Sequence, residues 1–483
     1  MAFRTFLPVF LLLIVPYTWC GLSFAADGIK VIEKNVVSSG DSQATTMDIL
    51  GMRGDYVHPY LSIRGEYTDN LYNVVLDEKN DFLTVVSPGI WFAIPAVGEV
   101  PISITPHNTA SGGLRLGVQE KESFDRFQAY LLGGLDFENY SENSNLNATN
   151  YRFEGMLQFN LRGGISLRLL DRYGRDQDRF DVNSFTSQDV NINPAGITLS
   201  DPSNIRRFNN NLGSATLNWD MTEKFTARID YTNFYLDYEG STNQWLNRTD
   251  NSLNAHLYYT YSPKTSFFAE YRYVDAHYND EHRGMDADSK DVENRDNQQN
   301  FVYGGINWAA SVKTSLMAKA GYQDKSYEVV DIDSQDSFVF ELLGNYRITE
   351  KTSLGLTLYK ALEESNSFEA NGKDTTMVKL RYEQKIYNRF VGVVDFWYSY
   401  NDYDQNLSGI DEDYNYEQNL YSAREGDRYS REDDRYYIRP ALRYLFKDWL
   451  MAELAYSYDK RDSTRKLFDY DTNTILFSLN AAL

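Results

Sequence analysis

The 483-residue chain has a single cysteine, only 11 prolines and five histidines, and its 47 basic residues are outnumbered by 69 acidic ones. One thiol, Cys20, cannot build a disulfide framework. A formal charge of −22 leaves no basic face for nucleic acid. Beyond the N-terminus no apolar run approaches the ~20 residues of a spanning helix, which excludes a helical membrane protein. The sequence contains no G-x-S-x-G, H-E-x-x-H or phosphate-binding P-loop, and no D-x-[DN]-x-[DN]-G calcium loop. No enzyme activity, cofactor or metal site is therefore expected.

What the chain has in quantity is aromatic: 38 Tyr, 27 Phe and 7 Trp, in a sequence whose mean hydropathy is −0.53. Such rings exclude disorder. A soluble core of this size would draw mainly on Leu, Val, Ile and Ala, so the rings point to another use.

Residues 1–25 read as a secretory signal peptide. Arg4 supplies a positive start, Phe6 to Tyr17 an apolar stretch too short to span, and Ser23-Phe24-Ala25 the small residues before cleavage. Cleavage there removes Cys20. Residues 26–54 are polar and read as a periplasmic segment, which leaves 55–483 as one transmembrane domain.

From Asp55 onward the dominant period is two, which marks strands with one apolar and one polar face. In Asn150 to Leu161, Phe153, Gly155, Leu157, Phe159 and Leu161 face one way, and Arg152, Glu154, Gln158 and Asn160 the other. Similar segments give ~18 antiparallel strands, within roughly 16–20, with 95–122 the least regular stretch. Short turns such as Asp220 to Glu223 and Thr349 to Lys351 alternate with long polar loops such as Asp176 to Arg206 and Asn401 to Asp433. Lys-Thr-Ser recurs at 264–266, 313–315 and 351–353, each opening a strand after a short turn. The expected fold is an all-β transmembrane barrel with short periplasmic turns and long extracellular loops, in a Gram-negative outer membrane.

On that reading Trp219, Tyr261, Trp308 and Tyr346 form an interfacial girdle beside the short turns, and Tyr398 and Tyr456 one near the long loops. Outward faces meet lipid and lipopolysaccharide. Inward positions carry both signs: Arg152, Glu154, Arg168, Arg172, Arg228, Asp230, Glu270, Arg272, Glu341, Arg347, Arg381, Glu383, Asp395, Arg439, Arg443 and Glu453. Mixed signs argue against strong ion selectivity. They fit either a water-filled path, with Tyr and Trp available to stack on sugars, or an interior filled by compensating ion pairs or a plugging loop. His256 stands alone on an inward face, and the acidic run from Asp275 to Asp296 reads as a solvated loop. The alternating Ile475, Phe477, Leu479, Ala481 and Leu483 read as a terminal strand for the outer-membrane assembly machinery.

Several motifs in order carry a family resemblance: Gly65-Glu66-Tyr67-Thr68-Asp69-Asn70, Ser87-Pro88-Gly89-Ile90-Trp91, Gln128-Ala129-Tyr130-Leu131-Leu132, Asn247 to Ser252, and Asp469-Tyr470-Asp471-Thr472-Asn473-Thr474. From Tyr56 to Leu483 the chain resembles the Putative beta-barrel porin 2 family. The resemblance implies an outer-membrane conduit for exopolysaccharide, working with a periplasmic polysaccharide export protein, and it carries no catalytic residues. The Glu66 to Asn70 and Asp469 to Thr474 motifs read as closure and turn elements. A general diffusion porin for small hydrophilic solutes, or a closed structural or adhesin barrel, are the other readings. Protein purified from outer membranes is expected to begin at Ala26 on N-terminal sequencing; an intact Met1 would overturn the signal-peptide assignment.

Overall fold

The structure is a computed structural model. It describes residues 56–75, 78–94, 126–178, 206–240, 246–279, 295–328, 334–365, 370–387, 389–405, 431–447, 449–464 and 468–482, together with Gln244 and two short hairpins at 102–103 with 117–118 and 190–193 with 196–199. The expected leader and periplasmic segment, His282 and Leu483 lie outside these residues, as do most of 95–122 and the greater part of the long loops.

Eighteen strands form one sheet. The first six are β1 (Val57–Thr68), β2 (Asp81–Ile94), β3 (Phe127–Tyr140), β4 (Ala148–Leu161), β5 (Ile165–Asp178) and β6 (Arg206–Asp220). Then follow β7 (Phe225–Tyr238), β8 (Arg248–Ser262), β9 (Thr265–Tyr278), β10 (Asn297–Ser311), β11 (Thr314–Tyr327) and β12 (Gln335–Thr349). The last six are β13 (Thr352–Glu364), β14 (Ala370–Tyr387), β15 (Phe390–Gln405), β16 (Arg431–Lys447), β17 (Leu450–Ser463) and β18 (Tyr470–Ala482). Each pairs antiparallel with the next, and β18 returns to β1 with Leu61 opposite Ala481 and Thr68 opposite Thr474. The barrel is closed, so no edge strand faces lipid.

The two resemblance motifs at the chain ends meet at this seam. Asp69 accepts from the backbone N–H and the amide Nδ2 of Asn473, both at 2.7 Å, while Asn70 Nδ2 donates to the carbonyls of Val74 and Asp471. The repeated short turn also has a physical basis. Ser262, Ser311 and Thr349 each accept at the side-chain oxygen from the N–H of Lys264, Lys313 and Lys351. The three lysine carbonyls then accept from the neighbouring strand at Ala309, Arg347 and Lys385. Alternation has one exception at this rim: the connection from β2 to β3, residues 95–126, is long although it lies on the short-turn side.

Burial follows the pleat. In β1, Val57, Leu61, Ile63 and Tyr67 are exposed on the outer face, whereas His58, Glu66 and Thr68 are buried on the inner one. Of the expected girdle, Trp219, Tyr261, Trp308, Tyr346 and Tyr456 are exposed outward and Tyr398 is half-buried. On the long-loop side these tyrosines share one geometry. The hydroxyls of Tyr231, Tyr271, Tyr398 and Tyr456 reach Asn251, Asn300, Asp434 and Asn473 on the next strand, each one outward position further from the membrane centre. The ring lies against the apolar stripe and the hydroxyl is satisfied above it, as an interface favours. In β18, Ile475 and Phe477 are exposed outward and Leu479 is half-buried.

Glycines set the packing of the first three strands. Tyr60 on β1 lies inward across β2 and β3, where a Cβ on Gly89 would stand 2.1 Å from its Cζ and one on Gly134 2.3 Å from its hydroxyl oxygen. Gly134→Ala should therefore lower the urea midpoint of the barrel in lipid vesicles, by about 1–3 kcal/mol of overpacking. Tyr60→Phe, which removes the clashing oxygen, should recover part of that loss; equal midpoints in all three proteins would contradict the packing account.

Candidate functional site: the inner face of the barrel

An 18-strand wall encloses more space than side chains from the wall alone fill. The charges on the inner face are arranged to compensate one another. On β6 to β12, Asp230 accepts from Thr216 Oγ1 at 2.7 Å and pairs with Arg228 at 2.8 Å. His256 lies between Asp230, at 3.5 Å, and Glu270, at 3.8 Å, so it does not stand alone. Glu270 also pairs with Arg272 at 2.9 Å and Lys319 at 2.8 Å, and Lys319 continues to Glu341 at 3.4 Å. Seven charged or titratable groups thus form a chain across the barrel wall.

A second chain runs over β14 to β17. Arg381 and Arg439 approach Asp395 at 3.7 and 3.9 Å, Arg443 reaches Glu453 at 2.6 Å, and Arg439 also pairs with Glu453. On β3 to β5, Tyr130 donates to Glu154, which sits opposite Arg172, and Arg168 donates to Gln158 at 3.1 Å. Arg152 is on the same inner face, two positions before Glu154. Two candidates stay outside these groupings: Arg347 is exposed near the short-turn rim, and Glu383 is half-buried opposite Ser353 and Val393.

The inner face is not uniformly polar. Leu132, Met156, Leu170, Leu212, Phe234 and Leu236 form a buried apolar cluster on β3 to β7. A second cluster joins Leu71, Tyr72 and Val74 of the β1–β2 loop to Leu83, Val85, Tyr140, Leu146 and Phe468. Trp397 is buried and stacks on Tyr437 at 5.5 Å with Arg435 over its ring, so its face is occupied by protein.

The most consequential departure is in β13. Ala361, Leu362, Glu363, Glu364 and Ser365 are all buried in succession, which a strand in the wall cannot do. The β12–β13 ladder ends at Phe340 opposite Lys360, whereas β13 keeps its partner β14 up to Glu364 opposite Gly372. The β13 end of this hairpin therefore leaves β12 and turns inside, against β11, while β14 keeps β15 as its partner through Ala370 opposite Gln405. There the Gln323 side chain takes the place of a strand: its Oε1 accepts from Leu362 N–H at 2.9 Å and its Nε2 donates to Leu362 C=O at 3.0 Å.

Glu364, fully buried, accepts from Tyr278, Asn297 and Gln299 at 2.8–3.1 Å and pairs with Lys325 at 2.9 Å. Arg295 Nη2 donates to the carbonyls of Ser365, at 2.7 Å, and Asn371, at 3.0 Å. The sequence reading did not single out these residues. The available signal was the loss of alternation after Leu358, in Tyr359-Lys360-Ala361-Leu362-Glu363-Glu364.

Chemically this face offers guanidinium, carboxylate, amide and hydroxyl groups at close range. Among the described residues no group of three or more His, Cys, Asp or Glu could hold a metal ion. At the long-loop rim, Arg175 on β5 grips the exposed Glu239 just beyond β7 through two nitrogens at 2.7 and 2.9 Å, and that contact holds the Glu239 carboxyl below its ordinary range. Exposed and buried pairs should behave differently. Glu453→Ala strands two buried guanidiniums and should cost about 3–5 kcal/mol, whereas Glu239→Ala should cost no more than about 1 kcal/mol. Urea unfolding in vesicles measures both; equal costs would contradict the compensated inner face.

The family model described as Putative beta-barrel porin 2 matches residues 111–483. Among solved structures, Acinetobacter baumannii OccAB4 aligns with a TM-score of 0.42 and 9% identity, over 89% of this chain and 99% of that one. Pseudomonas aeruginosa OccK2 (OpdF) aligns with a TM-score of 0.43 and 11% identity, over 88% and 98%. A mutant of the Pseudomonas aeruginosa ferric enterobactin receptor PfeA, in complex with enterobactin, aligns with a TM-score of 0.41 and 11% identity, over 89% and 82%. No curated protein matches the chain.

Proposed function

The chain belongs to the Putative beta-barrel porin 2 family, an outer-membrane barrel, and from that premise we propose that it is the conduit through which an exopolysaccharide crosses the outer membrane. The observation that carries this reading is the inner face itself. A closed wall surrounds paired charges, amides and hydroxyls that exchange hydrogen bonds with a hydrated glycan at little net cost, because groups such as Glu270 and Glu453 already have protein partners to return to. Compensated charge favours passage of a neutral or weakly charged polymer over retention of one ion. No nucleotide-binding motif occurs, so the driving force comes from periplasmic partners that deliver the glycan, a polysaccharide export protein among them. Inward arginines such as Arg272 and Arg381 act as transient contacts.

A general diffusion porin for small solutes is the second reading, favoured by the family's own description. The two differ in a strain lacking the protein. Export predicts that surface and secreted glycan is lost while intracellular synthesis continues. Unchanged surface glycan with slower uptake of small sugars would overturn export and support the porin.

A further inference from the structure

We propose that the β13–β14 hairpin is the gate of this barrel, with one state latched inside the lumen and a second zipped into the wall. The latched state is the one observed. It leaves the β12 edge from Gln335 to Val339 without a β13 partner among the described residues, while the last four residues of β13, Ala361 to Glu364, and the Ser365 that follows sit inside. The two unpaired stretches match in length and register. Continuing the ladder beyond Phe340 and Lys360 sets Val339 opposite Ala361, Phe338 opposite Leu362 and Gln335 opposite Ser365. No bulge or insertion is needed to close the wall.

Face also matches. In the zipped state Ala361 would share the inner face with Val339, and Leu362 the outer face with Phe338, which is 59% exposed here. Glu364 would come opposite Asp336, and like charges directly opposite are unfavourable. In the latched state the same carboxylate has Lys325, Tyr278, Asn297 and Gln299 around it. Glu364 thus holds the hairpin in, and its removal leaves Lys325 buried without that partner. The latch is imperfect elsewhere. Among the described residues neither Oδ1 nor Nδ2 of the buried Asn371 finds a hydrogen-bond partner, and neither does Gln335 Oε1 on the open edge. Unsatisfied buried polar groups raise the energy of the latched state and narrow the gap between the two. Two packings of one hairpin, each with a full set of main-chain partners for Leu362, provide the bistable element that a switch requires.

The inference rests on the conduit reading, but its test is independent of which substrate passes. The full-length mature barrel is reconstituted in planar bilayers and its conductance recorded. Glu364→Ala should raise open-state occupancy by roughly tenfold or more over the unmodified protein. The pair Phe338→Cys with Leu362→Cys, in a chain whose only other cysteine is Cys20, brings two Cβ atoms within disulfide reach in the zipped state alone. Oxidation should therefore form the bond and hold the channel open, and reductant should return it to baseline. The gate is overturned if Glu364→Ala conducts as the unmodified protein does. It is equally overturned if the disulfide does not form, or forms without raising conductance. Loss of glycan export in the deletion strain bears on the conduit alone; these conductance shifts bear on the gate alone.

Discussion

Everything in this barrel depends on one constraint: within lipid, each backbone N–H and C=O must find its partner inside the protein. That requirement closes β18 onto β1. It also places the Asp69–Asn473 contact where the two chain ends meet, at the outer rim of the seam. The same requirement explains why the stretch of β12 that lacks β13, Gln335 to Val339, lies at the long-loop end of the strand, beyond Phe340 and Lys360. Lys360 and Asp374, an ion pair at 3.0 Å on β13 and β14, mark that height as polar surroundings rather than hydrocarbon. The β13 end parts from β12 only where water and lipopolysaccharide can satisfy the edge it abandons.

Inside, a different cost dominates. Charges taken out of water are tolerated only when paired and hydrogen-bonded. The chain from Arg228 to Glu341 and the one from Arg381 to Glu453 pair their charges by alternating sign along neighbouring strands. Those parts of the inner face are consequently polar without carrying one dominant sign.

Much of this was legible in the sequence because a pleated strand has a fixed period. Alternation in Asn150 to Leu161 placed Phe153 outward and Glu154 inward without any tertiary information. The Lys-Thr-Ser repeat likewise marked real turns, since Ser262, Ser311 and Thr349 each accept from a lysine N–H. Strand number, too, needs only local pattern. Which inward groups touch across strands was not legible, because His256 meets Asp230 and Glu270 only through the register of three strands. Inward apolar residues such as Met156 and Phe234 were missed for a similar reason: a polar lumen was expected, and loops that fold over the inner face change what it must bury. The hairpin was the least legible. Its position depends on Gln323, about forty residues earlier, imitating a strand edge, and short-range periodicity cannot register that.

The proposed gate would leave the barrel, as folded here, shut from within. Single-channel recording of the unmodified protein in planar bilayers tests it most directly. The account predicts a channel closed most of the time, with brief openings. A large, steady, ohmic conductance in every inserted molecule would contradict it.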